Sequence, residues 1–313
     1  MSTQIVIGIA GISSKLAQCI TKALQRYQGV KIKGLCRRPE KIPPSALNEY
    51  KIEVIQGNFD DEVAVQQFVQ GTDVVICCYF GGSDLMNLGQ KILIEACAKE
   101  GVPRYIPSDF AVDYTNIPDG EPFPKESTKI IKKYLLEKNV AGVHILVGGL
   151  METFWSEYFE IYDANTGTAS YWGTGQEKWD LTTFETAAAY TAALAVDKQA
   201  VGVFRFRGDC KSVFEIKEAY DKVNQSSLQL RRLGSLTDLY DTVKDIHRRD
   251  PSNLASWGPK AFIYWCTNGV AHLGNELDNE KYSYIVPANV EDFLRAHKDT
   301  EVAVAGQKIG FQG

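Results

Sequence analysis

The sequence lacks the features that mark a membrane-spanning, secreted or nucleic-acid-binding protein. No apolar run approaches the roughly 20 residues that a membrane helix requires. Met1 leads almost directly into an apolar strand, which leaves no room for a signal sequence. A net charge of −5 argues against a nucleic-acid surface, which would show a basic stripe. We therefore expect a cytoplasmic protein whose partners are neither membranes nor nucleic acids.

Cysteine and histidine also lack the spacing that a metal centre would need. The seven cysteines show no metal-ligand pattern, and most lie in apolar contexts, as is typical of small core residues in a reducing compartment. The four histidines are too scattered for a metal site or a catalytic triad. We expect no metal, and we expect structural or surface roles for all four histidines. The 313 residues, of which 44% are hydrophobic, suffice for two globular lobes.

What the sequence does contain begins with a strand, a glycine turn and a helix. The apolar, β-branched residues 4–7 predict a strand buried in a parallel sheet, and from Ser13 onwards the apolar residues follow a helical spacing. The glycines between them would allow a tight turn, so that backbone N–H groups approach a pyrophosphate at the positive end of the helix. The pattern predicts a dinucleotide site, with a glycine-rich turn that binds nothing as the alternative. The predicted contacts are Gly8, Gly11, Ile12, Ser13 and Ser14.

Two arginines follow the second predicted strand, Val30–Cys36. A dinucleotide-binding fold contacts the adenosine ribose from this position: an acidic residue binds the free 2′-hydroxyl of NAD, whereas arginine accommodates the 2′-phosphate of NADP. A guanidinium recognises phosphate through a rigid fork of donors. Arg37 and Arg38 therefore predict NADP(H) as the cofactor, with solvated loop charges as the alternative.

Strands and helices alternate through the first part of the chain. Five strands within about 110 residues predict right-handed crossovers and an α/β fold with a doubly wound parallel sheet of the Rossmann type. The fourth strand stops at Tyr79 and Phe80, at the sheet edge where the adenosine half of a cofactor would lie. We assign residues 1–150 to this nucleotide-binding domain. Residues 151–313 form a smaller mixed α/β substrate lobe, some segments of which rejoin the sheet.

The segment from Gln90 to Phe110, QKILIEACAKEGVPRYIPSDF, resembles a known family. It is similar to a segment of the NmrA-like and isoflavone-reductase-like proteins, which are atypical members of the extended short-chain dehydrogenase group. The opening glycine turn and the arginine after the second strand also resemble that family. The resemblance implies that Ser108 and Phe110 line the cofactor site, with Phe110 near the nicotinamide. Ala111 departs from the pattern, because the family commonly has glycine there.

The same resemblance implies a catalytic lysine that also contacts the cofactor. The family's catalytic members carry a lysine in the helix after the fifth strand, and the match places it on Lys129. Such a lysine could donate a proton or polarise a carbonyl group, while a solvated basic helix face is the alternative. The loop after the sixth strand lines the substrate pocket in the family, although core packing explains its apolar residues here equally well. These residues are Met151, Phe154 and Trp155.

One further motif competes with the lysine. Short-chain dehydrogenases use Tyr-x-x-x-Lys, and Tyr240 and Lys244 have this spacing, but they lie far beyond the sixth strand, where chance is the better explanation. The resemblance implies an NADP(H)-dependent reductase of a small, aromatic or conjugated substrate, and we expect a monomer or a homodimer. Two alternatives stay open: a non-catalytic, NADP-binding redox sensor that regulates a protein partner, and a cofactor-retaining isomerase or cyclase.

Overall fold

A computed structural model gives the structure of residues 4–297. Its strands are β1 (Ile5–Ala10), β2 (Val30–Cys36), β3 (Glu53–Gln56), β4 (Val74–Cys77), β5 (Arg104–Ile106), β6 (Ala141–Leu146), β7 (Gly149–Leu150), β8 (Tyr162–Asp163), β9 (Thr168–Trp172), β10 (Lys178–Thr182), β11 (Gly202–Arg205), β12 (Asp209–Ser212) and β13 (Gln229–Gly234). Its α-helices are α1 (Lys15–Leu24), α2 (Pro44–Glu49), α3 (Glu62–Val69), α4 (Gln90–Glu100), α5 (Ser127–Glu137), α6 (Met151–Phe154), α7 (Phe184–Val196), α8 (Val213–Asn224), α9 (Leu236–Arg249), α10 (Leu254–Thr267) and α11 (Val290–Ala296). No helix in this part of the chain is both long and apolar enough to cross a membrane.

These elements belong to two compact units, each built from three segments of the chain. The first unit consists of the chain up to Asp109, Glu126–Ile145 and Ala187–Phe204. The second consists of Phe110–Lys125, Leu146–Thr186 and the chain from Arg205 onwards. The chain therefore passes from one unit to the other more than once.

A seven-stranded sheet with the order β11-β6-β5-β4-β1-β2-β3 forms the centre of the first unit. All neighbouring pairs from β6 to β3 run parallel. The direction in which strands are added reverses at β1, which pairs with β2 on one side and β4 on the other. Open α/β sheets bind ligands at the carboxyl ends of the strands beside such a reversal. The predicted doubly wound, Rossmann-type sheet is confirmed, and β11 joins its edge from the C-terminal half of the chain.

The core of the first unit forms because its central strands are apolar on both faces. Ile7, Ile9 and Ile76 of β1 and β4 are fully buried. Phe68 of α3 and Tyr105 of β5 belong to one cluster of buried side chains, together with residues of α4 and α5. Burial on both faces is what distinguishes parallel strands covered by helices from half-exposed antiparallel ones.

A buried arginine fixes the end of α7 in the same unit. Arg104 of β5 is 5% exposed, and its guanidinium donates to the carbonyl oxygens of Leu194, Ala195 and Asp197 at 2.6–3.0 Å. The last carbonyl groups of a helix have no partner within the helix. Arg104 therefore satisfies groups that would otherwise be buried without a hydrogen bond.

The second unit contains two three-stranded sheets, with the orders β12-β10-β7 and β13-β9-β8. Each combines a parallel and an antiparallel pair. Buried aspartates connect distant segments of this unit, since Asp180 binds Arg207 at 2.8 Å and Asp113 binds Arg205 at 2.7 Å. The predicted mixed α/β portion is therefore confirmed, and its sheets are smaller than that of the first unit.

Two element boundaries differ from the prediction. β1 continues through Gly8 to Ala10, so that the turn begins only at Gly11. The sequence predicts a regular helix over residues 85–99, but the structure begins with a π-helical turn, Asp84–Gly89, before it continues as α4. Single π-helical turns are rare and often lie at functional sites.

Candidate dinucleotide and active site

The turn after β1 is built around a glycine in the left-handed region of backbone space. Gly11 has a φ of +75°, and a Cβ atom there would lie 3.0 Å from the carbonyl oxygen of Cys78. Glycine meets both conditions without strain. The N–H groups of Gly11 and Ile12 donate to the carbonyl oxygen of Leu35 at 2.8 and 3.3 Å. Gly11 therefore closes the turn against the sheet, and its own N–H is used within the protein.

The side chain of Ile12 lies between the turn and β2. Its side chain is 1% exposed and packs against β2, where a Cβ atom on Gly34 would lie 2.6 Å from Ile12 Cδ1. Gly34 is not among the predicted site residues, although a lone glycine inside a strand often marks the close approach of another group. The missing side chain of Gly34 thus makes room for Ile12.

Gly8 lies inside β1, three positions before Gly11, and not in the turn. A Cβ atom at Gly8 would lie 2.9 Å from Phe68 Cζ and 3.1 Å from Thr72 Cγ2. Its lack of a side chain therefore allows Phe68 of α3 to pack onto the sheet. The structure does not bring Gly8 together with the other predicted turn residues.

Helix α1 begins directly after the turn. Ser14 is its N-cap, and the Ser14 hydroxyl oxygen accepts a hydrogen bond from the N–H of Ala17 at 3.3 Å. The carbonyl oxygen of Ser13 accepts a bond from the Gln18 side-chain amide at 3.0 Å. Both serines are half-buried. The turn thus presents two hydroxyl groups at a helix N-terminus, where the helix dipole favours an anion.

Arg37 and Arg38 follow β2 directly, Arg37 exposed and Arg38 half-buried. β2 runs parallel to β1 and pairs with it up to Leu35 and Ala10. The two arginines therefore leave the sheet at the same edge as the Gly11 turn. The Gln56 side-chain amide donates to the carbonyl oxygen of Arg37 at 3.3 Å, which holds the backbone at this point.

Buried side chains join the ends of β4 and β5. The Ser108 hydroxyl donates to the carbonyl oxygen of Tyr79 at 2.6 Å, and the Ser108 N–H donates to Gln90 Oε1 at 3.1 Å. Gln90 Nε2 donates to the carbonyl oxygen of Met86, in the π-helical turn, at 2.8 Å. Burial raises the pKa of Tyr79, so this phenol stays neutral. Phe80 is 49% exposed and offers an apolar surface beside the same edge.

The backbone is strained at Phe110, which is buried and has a φ of +23°. A non-glycine residue in such a conformation costs of order 1–3 kcal/mol, and strained residues cluster at active sites. The residue before it, Asp109, binds His144 of β6, with 2.7 Å between Oδ2 and Nδ1 and both side chains buried. The sequence analysis did not single out Asp109, because nothing local marks a partner 35 residues away.

Lys129 lies in the first turn of α5, and 17% of its side chain is exposed. Its Nζ atom is 3.6 Å from Glu126 Oε2, so an opposite charge adjoins the ammonium group. Lys133, one helical turn further along, is exposed. Lys125 precedes the helix and is 7% exposed, in the second unit. Lys129 is thus partly buried, in contrast to the exposed Lys133.

The three predicted substrate contacts are core residues of the second unit. Met151, Phe154 and Trp155 are 1–3% exposed. The Phe154 ring packs edge-to-face on Trp155 and Trp179, with centroids 5.1 and 5.4 Å apart, and Trp155 stacks on Tyr220 at 5.6 Å. Aromatic packing accounts for these residues, and Phe154 also forms part of the wall of a cleft.

Tyr240 and Lys244 lie on α9, as their spacing requires, but their contacts are not those of a proton donor and its helper. Lys244 Nζ lies over the Tyr240 ring, 4.3 Å from its centroid. The Tyr240 hydroxyl donates to the Glu121 carboxylate, and burial together with this bond raises the pKa of Tyr240. A raised pKa is the opposite of what a tyrosine acid requires near neutral pH.

Comparison with known proteins points to the same part of the chain. Residues 11–154 match a family model described as NAD(P)H-binding, and the match begins at Gly11 of the turn. The oxidoreductase aprR of Aspergillus flavus is 26% identical over 181 residues, which are 56% of this chain and 58% of that protein. The match therefore spans less than two thirds of the length of this relative.

Two solved structures have similar folds over nearly the whole chain. AtPrR2, solved with NADP⁺ and (+)pinoresinol, superposes with a TM-score of 0.78 at 16% identity, over 95% of this chain and 99% of that one. An isoflavone reductase superposes with a TM-score of 0.73 at 15% identity, over 94% and 99%. Identities this low show a shared fold. Residues 11–154 therefore resemble an NAD(P)H-binding domain, and the chain has the fold of the isoflavone-reductase-like proteins, which is the fold that the resemblance seen in its sequence implies.

Proposed function

We propose that the chain is an NADPH-dependent reductase of a small aromatic or conjugated metabolite. The observation that carries this proposal is that the NAD(P)H-binding match begins at Gly11, the residue whose left-handed backbone shapes the turn before α1. Two relatives support the activity: aprR is named an oxidoreductase, and AtPrR2 was solved with NADP⁺ and (+)pinoresinol.

The residues around the turn fit this cofactor. Ser13 and Ser14, at the N-terminus of α1, offer their hydroxyl groups as donors to the pyrophosphate, whereas the Ser14 N–H donates to the Gly11 carbonyl oxygen at 2.9 Å. Arg37, exposed at the end of β2, offers a guanidinium to the 2′-phosphate of the adenosine ribose. When bound, NADPH supplies a hydride, and the protein's tasks are to orient the reactants and to manage the proton.

In this proposal Lys129 is the general acid that donates a proton to the substrate. Hydride addition to a carbonyl or conjugated carbon leaves negative charge on the substrate, and an ammonium group can neutralise it by donating a proton. The Glu126 carboxylate, 3.6 Å from Nζ, holds the ammonium in place. The partial burial of Lys129 reduces competition from water for the same proton.

Calorimetric titration with NADPH and NADH tests the cofactor assignment. We expect the wild type to prefer NADPH by at least about tenfold, since one charge-assisted phosphate contact is worth roughly 1.5–3 kcal/mol. Arg37→Ala should lower the affinity for NADPH and leave that for NADH unchanged. Equal affinity of the wild type for both nucleotides would refute the arginine assignment, and binding of neither would refute the cofactor.

NADPH oxidation in a screen of phenolic and conjugated compounds tests the chemistry. Lys129→Ala should lower kcat by about a hundredfold, the usual contribution of a general acid, while the affinity for NADPH stays near that of the wild type. Lys133→Ala, at an exposed lysine one turn further along the same helix, is the matched control. NADPH binding without its oxidation by any compound favours the redox sensor, and product formation without net oxidation favours an isomerase or cyclase.

A further inference from the structure

Two buried polar side chains of the first unit connect the turn after β5 with β6. Within this unit, the backbone pairing between the two strands ends at Tyr105 and Gly142. Further along, His144 Nδ1 lies 2.7 Å from Asp109 Oδ2, and the two side chains are 4% and 1% exposed. A hydrogen bond in such surroundings is stronger than one at the surface, because the local dielectric is low. The pair therefore holds the two strands together beyond their backbone pairing.

A glycine makes room for the imidazole ring of this pair. Gly142 lies two residues before His144 and therefore on the same face of β6. A Cβ atom at Gly142 would lie 2.7 Å from His144 Nε2, so a side chain at this position would press on the ring. Glycine inside a strand often marks the close approach of another group. The position of the ring is thus supported twice, by the carboxylate of Asp109 and by the missing side chain of Gly142.

The turn that carries Asp109 precedes a strained residue. Within the turn, the Asp109 N–H donates to the Pro107 carbonyl oxygen at 2.8 Å, and the Ser108 hydroxyl donates to the Tyr79 carbonyl oxygen at 2.6 Å. The next residue, Phe110, has a φ of +23°. A non-glycine residue keeps such a conformation only where the surrounding structure over-determines it. The bonds of Ser108 to the end of β4 and of Asp109 to β6 supply this constraint on the N-terminal side of Phe110.

The same turn follows a strand on the side of the sheet where the topology predicts the nicotinamide half of a dinucleotide. Doubly wound sheets bind the two halves of a dinucleotide on either side of the strand at which the strand order reverses. Here that strand is β1, and the predicted contacts of the adenosine half, Arg37 and Arg38, follow β2 on one side of it. The nicotinamide half is then expected on the other side of β1, towards β5.

We propose that Asp109 and His144 are positioning residues for the nicotinamide ring of bound NADP(H). Their hydrogen bond holds the turn of residues 107–110 in its strained form, and this turn orients the ring. Both residues act through the turn and touch no reacting atom. The proposal rests on the proposed reductase function only through its cofactor, so that nucleotide binding tests it without a substrate.

Two nucleotides that differ only in the nicotinamide ring separate positioning from a general effect on the site. The fluorescence of bound NADPH comes from the reduced nicotinamide and reports on its surroundings, whereas 2′-phospho-ADP-ribose has every part of NADPH except this ring. His144→Leu removes the hydrogen bond and should shift the emission of saturating, bound NADPH towards that of the free nucleotide. The calorimetric affinity for 2′-phospho-ADP-ribose should stay within about twofold of the wild type. His144→Asn keeps an amide donor near the position of Nδ1 and should recover the emission of the wild type.

A double variant keeps the test valid if His144→Leu does not fold. The single substitution takes the imidazole away from a buried carboxylate, which also destabilises the fold. Asp109→Val combined with His144→Leu replaces both partners by apolar groups, which is close to neutral for stability, and should show the same shift in emission. Thr72→Val is the control, because Thr72 is 6% exposed and donates to the Phe68 carbonyl oxygen at 3.0 Å, at the amino end of β4. It should leave the emission and the affinity unchanged.

Four results would overturn the positioning role and leave the cofactor assignment intact. The first is a wild type whose bound NADPH emits as free NADPH does, and the second is an unchanged emission in the folded His144 variants. The third is an affinity for 2′-phospho-ADP-ribose that falls by about tenfold or more in these variants, since the pair would then support the whole site. The fourth is His144→Asn behaving as His144→Leu does. A wild type that binds neither nucleotide would instead refute the cofactor, and this proposal with it.

Discussion

Gly11 and Gly8 lack a side chain for different physical reasons. Gly11 has a left-handed backbone and faces the Cys78 carbonyl group, whereas Gly8 lies in a regular strand beneath the Phe68 ring. The first glycine shapes the turn before α1. The second allows α3 to pack onto the sheet. Substitution of either one should therefore be harmful, but only at Gly11 do we expect the damage to be specific to the cofactor.

Gly11→Ala should lose stability and cofactor affinity together. A left-handed alanine costs about 1–2 kcal/mol, and the new methyl group would meet the Cys78 carbonyl oxygen at 3.0 Å. Gly71→Ala is the control, because Gly71 has a φ of +67° with open space around it. Urea unfolding should show a lower free energy of unfolding in both variants. Calorimetry should show a fall in NADPH affinity, by at least about tenfold, in Gly11→Ala alone. An equal NADPH affinity in the two variants would contradict the role given to the turn.

Single residues could be predicted from the sequence where the relevant interaction is local. The sequence predicts that Asp60 or Asp61 caps the helix after β3. The structure confirms Asp61, which accepts a hydrogen bond from the Ala64 N–H three residues away. Gly34 and Asp109 were missed because their partners, Ile12 and His144, lie 22 and 35 residues away in sequence. Residues that lie far apart in the chain and meet only in the folded protein leave no short-range pattern in the sequence.

At the scale of elements, one buried amide connects the π-helical turn to the sheet edge. Gln90 is 1% exposed and bridges Met86 and Ser108, which in turn binds the Tyr79 carbonyl oxygen. Gln90→Met keeps the volume but leaves a buried N–H and a carbonyl group without this partner, at a cost of about 2–3 kcal/mol. We expect the ends of β4 and β5 to loosen, and NADPH affinity to fall about tenfold.

The control for Gln90 is a buried hydrogen bond of the same unit that lies away from the strand ends. Thr191 on α7 donates to the Ala187 carbonyl oxygen at 2.7 Å and is fully buried. Thr191→Val should cost about 1 kcal/mol in urea unfolding and leave calorimetric NADPH binding unchanged. An unchanged NADPH affinity in Gln90→Met would show that the network supports the fold alone.

The start of α8 should make the second unit sensitive to acid. A hydrogen bond from Lys178 and another from the Ser212 N–H lower the pKa of Glu215 to about 2. Because the pKa of Glu215 is lower in the folded than in the unfolded state, its carboxylate stabilises the folded protein fully above about pH 4.5. This stabilisation is lost as the pH falls towards 2. The group is largely solvated, so we expect about 1 kcal/mol or less. Urea unfolding should show that the free energies of unfolding of the wild type and of Glu215→Gln converge as the pH falls. Glu218 is exposed on the same helix and is the control, because Glu218→Gln should show no such convergence.

The bounds of an element were predicted well where one spacing of apolar residues continues along its whole length. The bounds predicted for β2 agree with the structure, and so do those of the alanine-rich helix that the sequence predicts over Phe184–Val196, which is α7. Both patterns are local and can be recognised without knowledge of a partner. The predicted end of β1 was wrong, since Gly8 was assigned to the turn but lies within the strand. The π-helical turn was also missed, because a pattern of apolar residues does not distinguish i+4 from i+5 hydrogen bonding.

At the scale of the whole molecule, the sequence predicts the order of elements better than their grouping. The main sheet follows from alternating strands and helices, but the pairing of β13 with β9 joins residues about 60 positions apart. Each compact unit draws on three segments, such as Phe110–Lys125 in the second unit. The cleft whose wall includes Phe154 was missed for the same reason, since its lining is contributed by separate stretches between Phe154 and Thr267.

Hydrogen exchange on the intact chain should assign the proposed NADPH site to the first unit. At a hundredfold excess over its Kd, a ligand stabilises the bound form by about 2.7 kcal/mol, which slows exchange through ligand-free opening by about a hundredfold. NADPH should protect the Gly11 turn, the start of α1 and the ends of β4 and β5. In contrast, NADPH should leave β9, β10 and α10 of the second unit without such protection. Gly11→Ala, at the same NADPH concentration, should reduce the protection of the first unit about tenfold. Protection of β9 and β10 by NADPH, with none at the turn, would place the cofactor in the wrong unit and refute the proposed site.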